Sequence, residues 1–307
     1  MRLRTAFAAA VVTTGLAGML TVAPWLAMTA PVGAGTLVVE GWIPDDRLPD
    51  VLRLARARRI GRVFVTGGAM PLARYLRAGD TLVVDGAPLQ GHWVLELAGL
   101  PGQRWQLRTG SGVLQQGVAD GVAATMDIPV PEAARALRLV AEGGRPGDTT
   151  ALLFVRDLRP AGHSLSATGH AAWIHHANGG RTPCPATWAE ERARQLVALG
   201  APPTAVLAVH GPADAAGRTA SAARAMVAVA HDAGLGAYDV VTLGVHARRT
   251  HRAHRRAAAG TLQVGVIALS DPRVPPRTWW LRPAAWPVVA KELAGLLRDA
   301  FAGTFGS

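Results

Sequence analysis

Two apolar runs near the start of the chain, TLVVEGW from Thr36 to Trp42 and RVFVTGG from Arg62 to Gly68, read as buried strands that end on glycine. Between them, Asp46 to Arg59 carries Leu48, Val51, Leu52, Leu54 and Ala55 at helical spacing, so the chain opens as strand, helix, strand. The pattern then changes. From Pro71 to Pro185 the runs TLVVDG, WVLELAGL, RWQLRTG, ATMDIPV, ALRLVAE and TALLFVRDL alternate with Gly, Pro and Asp turns, a spacing that predicts an antiparallel β-sandwich.

The helical period returns at Thr187. WAEERARQLVALG places Ala189, Ala193, Leu196, Val197 and Leu199 toward a core before Gly200 and Pro202-Pro203 stop the helix. AVLAVHG, YDVVTLGVH and LQVGVIAL follow as strands, separated by the small-residue helix RTASAARAMVAVAHDAG and the basic helix ARRTHRAHRRAAAG. Strands alternating with helices predict an α/β fold with a mostly parallel, doubly wound sheet, built from residues 31–70 and 187–270 and interrupted by an inserted β-rich domain at 71–186. Residues 271–307 read as a Pro-rich connection with Trp279-Trp280 and an amphipathic helix from Pro287 to Phe301. At the other end, Arg2 and Arg4 precede an uncharged run whose apolar part, Ala6 to Met28, suffices for a helix of ~20 residues across a bilayer. Residues 1–30 therefore read as a membrane anchor or signal segment, with the bulk of the chain outside the cytoplasm.

Charge narrows the partners. The formal net charge is +11 and comes almost entirely from Arg, which favours anionic ligands such as phosphates, lipid head groups or acidic polymers. No helix-turn-helix, zinc-finger or RNP pattern accompanies it, so nucleic acid is not expected. Cys184 is the only cysteine, which rules out an intramolecular disulfide and a cysteine-based zinc cluster.

Open parallel sheets bind ligands at the carboxyl ends of their strands, and the candidate residues lie there. Gly67 and Gly68 either admit an anion to backbone N–H groups or turn the chain into the insertion. Glu190, in the first turn of its helix with Glu191, either faces the strand edge as a candidate carboxylate or is ordinary N-terminal helix charge. Arg218 and Thr219 open the next helix, Thr219 as its cap and Arg218 beside any phosphate held there. His246, followed by Arg248 and Arg249, puts an imidazole and two guanidiniums at a strand end, suited to proton transfer beside phosphate recognition. Arg252, Arg255 and Arg256 continue as a solvated or lipid-facing surface. There is no GxSxG elbow around Ser221 and no HExxH, and His175-His176 and His251-x-x-His254 lack carboxylate partners, so neither a nucleophile nor a metal is assigned. No cofactor is specified.

Taken together, LVVEGW, VFVTGG, WAEERARQLVALG, RTAS and VTLGVHARR resemble the YdcF/SanA/ElyC-like family of bacterial envelope proteins. The resemblance implies a Rossmann-like α/β domain, often tethered by one N-terminal membrane segment, with a polar pocket at the strand ends involving Gly67, Gly68, Glu190, Thr219, His246 and Arg249. The insertion is similar to carbohydrate-binding modules of the small β-jelly-roll type. Trp93, Trp105 and Trp173 would either face sugar rings or fill its core. These readings lead to an envelope protein that binds or transforms an anionic metabolite, a phosphorylated glycan or lipid-linked precursor. In that scheme Glu190 and His246 share protons, and Arg249 with Arg248 or Arg218 holds the anion. The alternative is a non-catalytic polysaccharide-binding envelope protein. A third reading uses Trp279-Trp280 and the terminal helix to dock a partner.

Overall fold

A computed structural model describes residues 17–143, 150–212 and 217–304. The chain divides into two compact units, one from the residues up to Gly67 together with those from Arg192 onward, the other from Gly68 to Glu191.

In the first unit, residues 17–26 form helix α1, followed by β1 (Thr36–Glu40), α2 (Leu48–Ala57) and β2 (Arg62–Gly67). After the insertion come α3 (Trp188–Ala198), within which the boundary between units falls, then β11 (Val206–His210), α4 (Arg218–Asp232) and β12 (Ala237–Leu243). The unit ends with α5 (Ala247–Ala258), β13 (Gln263–Leu269) and α6 (Trp286–Thr304). Five strands pair in parallel in the order β11-β2-β1-β12-β13.

Strand alternation explains why both faces are covered. Leu37, Val39, Val63, Val65, Val241 and Leu243 point to one side, where Leu48, Val51 and Leu52 of α2 and Leu196 of α3 pack. Val38, Phe64, Val209, Val240 and Val264 point to the other, against Met226, Val227 and Ala230 of α4 and Ala258 of α5. Two apolar faces leave such a sheet no solvent side, hence the near-continuous Val and Leu runs in its sequence. Each fully buried Val or Leu contributes about 1.5–3 kcal/mol.

Two polar groups interrupt this core. Asp239 of β12 is fully buried, and its carboxylate accepts hydrogen bonds from Val32 N (2.7 Å) and Gly33 N (3.2 Å), with Arg58 Nη1 at 3.5 Å. This clasps the chain leaving α1, which also bridges Ala30 to Val266 of β13. The crossing needs Gly265, because a Cβ there would overlap Asp239 Oδ1 and lie 2.5 Å from Val32 N. The second group is His254, fully buried on α5, whose Nδ1 lies 3.0 Å from Tyr238 Oη. Burial, aided by the charge of His251, lowers its pKa to about 3.

α1 packs Ala23 and Leu26 into a cluster with Val245, Val274, Trp279, Ala285, Val289 and Leu296, and Trp279 Nε1 donates to Met19 O at 2.8 Å. The expected membrane span from Ala6 to Met28 lies partly outside the described residues. Among those described, no helix is long and apolar enough to cross a membrane.

The second unit comprises β3 (Arg74–Arg77), β4 (Thr81–Gly99), β5 (Arg104–Thr109), β6 (Gly112–Val118), β7 (Ala124–Glu142), β8 (Ala151–Pro160), β9 (His170–His175) and β10 (Arg181–Cys184). Instead of two stacked sheets, all eight strands belong to one large, nearly closed antiparallel sheet. Its sequence runs were also longer than they read: TLVVDG and WVLELAGL are halves of β4, and ATMDIPV and ALRLVAE halves of β7. Gly86 and Gly91, with φ of 121° and 86°, do not turn the chain back. They sit at register shifts between Asp85 and Gly91, where bulges bend one continuous strand. β4 can thus pair with β9 through Thr81 to Gly86 and with β8 through Trp93 to Gly99. The core holds Leu82, Val84, Trp93, Leu95, Trp105 and Leu139.

Gly265→Ala should be strongly destabilising, by about 3 kcal/mol or more, since strain and an unclasped buried carboxylate add; chemical denaturation measures this. His254 generates a pH prediction. Its pKa is about 6.5 unfolded and about 3 folded, so the unfolded chain binds the extra proton between these values. Stability from this group is complete above ~6.5 and declines as pH falls, by up to about 1.4 kcal/mol per unit. Tyr238→Phe combined with His254→Leu should flatten that acid limb in denaturation midpoints taken across pH.

Candidate functional site

The parallel sheet reverses direction around β1. The chain goes from β1 to β2 and β11 on one side and returns to β12 on the other, so the switch point where open sheets place their ligand crevice falls at the carboxyl ends of β1 and β12. β1 ends in Glu40. β12 passes into a tight 3-10 turn, Gly244–His246, which delivers His246 to the start of α5. Gly244 has φ of 39°, and a Cβ there would meet Asp271 Cβ at 3.1 Å.

His246 lies between two carboxylates. Its Nδ1 is 2.9 Å from Glu292 Oε2 of α6, and its Nε2 is 3.8 Å from Glu40 Oε1. Thr250 Oγ1, one turn along α5, donates to Glu40 Oε2 at 3.1 Å, and the Trp42 ring meets the imidazole edge-on at 4.8 Å. The side chains of Glu40, His246 and Glu292 are 3%, 14% and 7% exposed, so the charges act through little water. Burial alone would depress the His246 pKa, but Glu40 and Glu292 outweigh it and hold the imidazole above its ordinary value, against Arg249. Burial likewise would raise Glu292, yet the hydrogen bond and charge of His246, with Arg249 and Lys291, keep it below the usual carboxylate range. Glu292 therefore fixes Nδ1 as a donor, as carboxylates do for catalytic imidazoles. Nε2 is buried and has no hydrogen-bond partner among the described residues.

The expected site residues scatter more widely than their sequence positions suggest. His246 occupies the strand-end crevice. Arg249 pairs with Glu292 at 3.5 Å and Asp299 at 3.5 Å, so its charge is already matched. Arg248 turns toward α1, donating from Nε to Trp25 O at 2.7 Å with its guanidinium 4.1 Å above the Trp25 ring. Arg218 is exposed at the first position of α4. Thr219 follows it and does not cap: the cap is Gly217, with φ of 87° and no side-chain hydrogen bond. Gly67 closes β2, and its carbonyl accepts from Gly211 N.

Gly68 and Glu190 belong to the antiparallel unit. Gly68 O accepts from Trp188 N, and neither Gly67 nor Gly68 adopts left-handed backbone, consistent with a plain chain turn. Glu190 Oε2 accepts from Ala186 N at 2.8 Å while Thr187 Oγ1 accepts from Glu190 N at 3.1 Å. This is a variant of the capping box, legible as Thr187-x-x-Glu190, in which the carboxylate reaches the residue before the cap, and it starts α3. The carboxylates that meet His246 are instead Glu40 and Glu292. Both were visible as anomalies: Glu40 is a lone charge closing an apolar strand, and Glu292 falls on the stripe Val289, Glu292, Leu296 that faces the core.

A cavity of about 210 Å³ opens at the same edge of the sheet, lined by Pro44, Arg47, Leu243, Asp271 and Arg273 among others. Arg47 pairs with Asp46 and Asp50, and Arg273 with Asp271. Among the described residues no group of three or more His, Cys, Asp or Glu is placed to hold a metal ion. In the antiparallel unit Trp93 and Trp105 are core residues, and the half-buried Trp173 is covered by Arg181 at 3.5 Å.

No protein-family model matches this sequence, and no curated protein matches it.

Glu292→Gln keeps a hydrogen-bond partner for His246 but removes a charge, so His246 should titrate at lower pH; its imidazole proton resonances report this. Because the folded pKa is raised, the stability His246 contributes is complete below ~6.5 and lost as pH rises through the folded value. Glu292→Gln should shrink that alkaline loss.

Proposed function

We propose that the α/β unit binds a small anionic metabolite at the carboxyl edge of its parallel sheet, with His246 donating a proton to it. The observation that carries this reading is the buried Nε2 of His246, held on its other side by Glu292 and left without an acceptor at the strand-end crevice. A pKa raised by Glu40 and Glu292 extends the pH range over which the imidazole carries the proton a general acid needs. For the anion, the exposed Arg218 and the N-terminal turn of α4, whose cap residue Gly217 makes no side-chain hydrogen bond, replace Arg249 and Arg248.

The strand order supports reading the unit as Rossmann-like, as the resemblance to the YdcF/SanA/ElyC-like family implies. In that setting the ligand is a phosphorylated glycan or lipid-linked precursor, and residues 1–30 tether the protein to the cell membrane with its bulk outside the cytoplasm. The core positions of Trp93 and Trp105 favour the α/β site over a polysaccharide grip by the insertion.

Small molecules released from the purified full chain and identified by mass spectrometry should include a phosphate-bearing species that rebinds. Arg218→Ala should weaken rebinding about tenfold, and His246→Gln should leave binding within a few-fold while lowering any turnover by about a hundredfold or more. Rebinding indifferent to both substitutions would dismiss the site.

A further inference from the structure

α6 turns Val289, Glu292 and Leu296 inward, which leaves Trp286, Pro287, Ala290, Ala294 and Leu297 outside. At spacings of four, four and three, positions 286, 290, 294 and 297 form one stripe along the helix. Trp286 is 46% and Leu297 59% exposed, and among the described residues the exposed charges on the outer side are the cations Lys291 and Arg298, Arg298 lying 3.1 Å from the partly exposed Asp299. A water-facing helix surface ordinarily mixes polar and charged groups. This one does not.

α1 is built alike. Ala23 and Leu26 face inward, Leu20 and Trp25 stand 51% and 48% exposed, and the helix carries no charged side chain. The two helices share one apolar cluster, and the Trp279 that bonds Met19 O also meets the Trp286 ring at 5.6 Å. Cations border the surface from α5 as well: Arg248 stacks on Trp25, and Arg256 Nη1 donates to Asp299 O at 3.0 Å.

We infer that this face rests on an anionic lipid bilayer, with α1 and α6 lying in the plane of the interface and Trp25 and Trp286 at headgroup depth. Trp favours that depth, and cations beside an apolar strip are drawn to anionic lipid. The uncharged sequence continues from α1 back to Thr5, so the polypeptide entering the patch is itself suited to lipid. A second copy of the chain fits less well, because it would bring a like-charged rim against this one. The inference rests on the tethered reading above and goes beyond it: the folded unit touches the membrane, not only the segment before it.

The test uses full-length chain, with Cys184→Ser, reconstituted with vesicles containing phosphatidylserine. A polarity-sensitive fluorophore is placed at Leu297→Cys or, as a control, at the exposed Leu199→Cys on the far end of α3. With vesicles, the Leu297 label should shift to the blue and lose quenching by aqueous iodide, while the Leu199 label keeps it. Lys291→Glu with Arg298→Glu should restore iodide quenching at Leu297. If the chain co-sediments with vesicles but the Leu297 label stays open to iodide, the face is not membrane-bound although the tether stands. If the chain does not co-sediment at all, both readings fall. Shielding of Leu297 without lipid, together with a dimer mass by light scattering, would make the face an interface between copies and overturn the inference.

Discussion

A parallel sheet buried on both faces allows charge only where a strand ends or where another backbone comes close enough to satisfy it. The adjacent strands β1 and β12 meet that constraint in two ways. Asp239, early in β12, draws in the segment at Val32 and Gly33, whose amides satisfy it. Glu40, the last residue of β1, draws in Thr250 and His246 from the helix that follows β12. One carboxylate fastens the entry of the chain to the unit, and the other assembles the candidate site.

Glu292 extends the second group to α6. A carboxylate on the inner stripe of an otherwise apolar helix needs a partner, and the His246 ring and Arg249 guanidinium supply it. Close approach of α6 to α5 is allowed by Gly295, where a Cβ would sit 3.1 Å from Arg249 Cδ. Removing one member of a buried ionic group generally costs about 3–5 kcal/mol because the others stay desolvated. The network therefore has a structural effect whatever chemistry it performs, and only readouts specific to the His246 proton separate the two.

Much of the α/β core could be read from sequence because its period-two burial and intervening helices are local signals. Val38 facing away from Leu37 and Val39 follows from strand geometry alone. The antiparallel unit was less legible: Gly86 and Gly91 carry the same turn chemistry whether a strand reverses or merely bulges, and only cross-strand pairing decides. At the site, His246 could be placed at a strand end from the run VTLGVH. Its partners could not, since Glu40 and Glu292 are 206 and 46 residues away along the chain. Glu190 was drawn toward catalysis by its place in a first helical turn, where a cap is the more local use of a carboxylate. Arg248 and Arg249 look equivalent in sequence, yet adjacent helical positions diverge by about 100°. One therefore reaches Trp25 and the other Glu292.

The charge pattern limits what this site can accept. Glu40, Glu292 and Asp299 face Arg249 and His246, three carboxylates against at most two cations when the imidazole carries its proton. Such a group does not attract an anion by its net field. In the proposed site, recognition of a negative ligand therefore falls to a cation outside the network, Arg218 at the start of α4. In that proposal the imidazole is free of the task of binding, and Glu40, 3.8 Å from Nε2, is the counter-charge for its proton. Arg249, for all its proximity to His246, is spent on pairing Glu292 and Asp299 of α6.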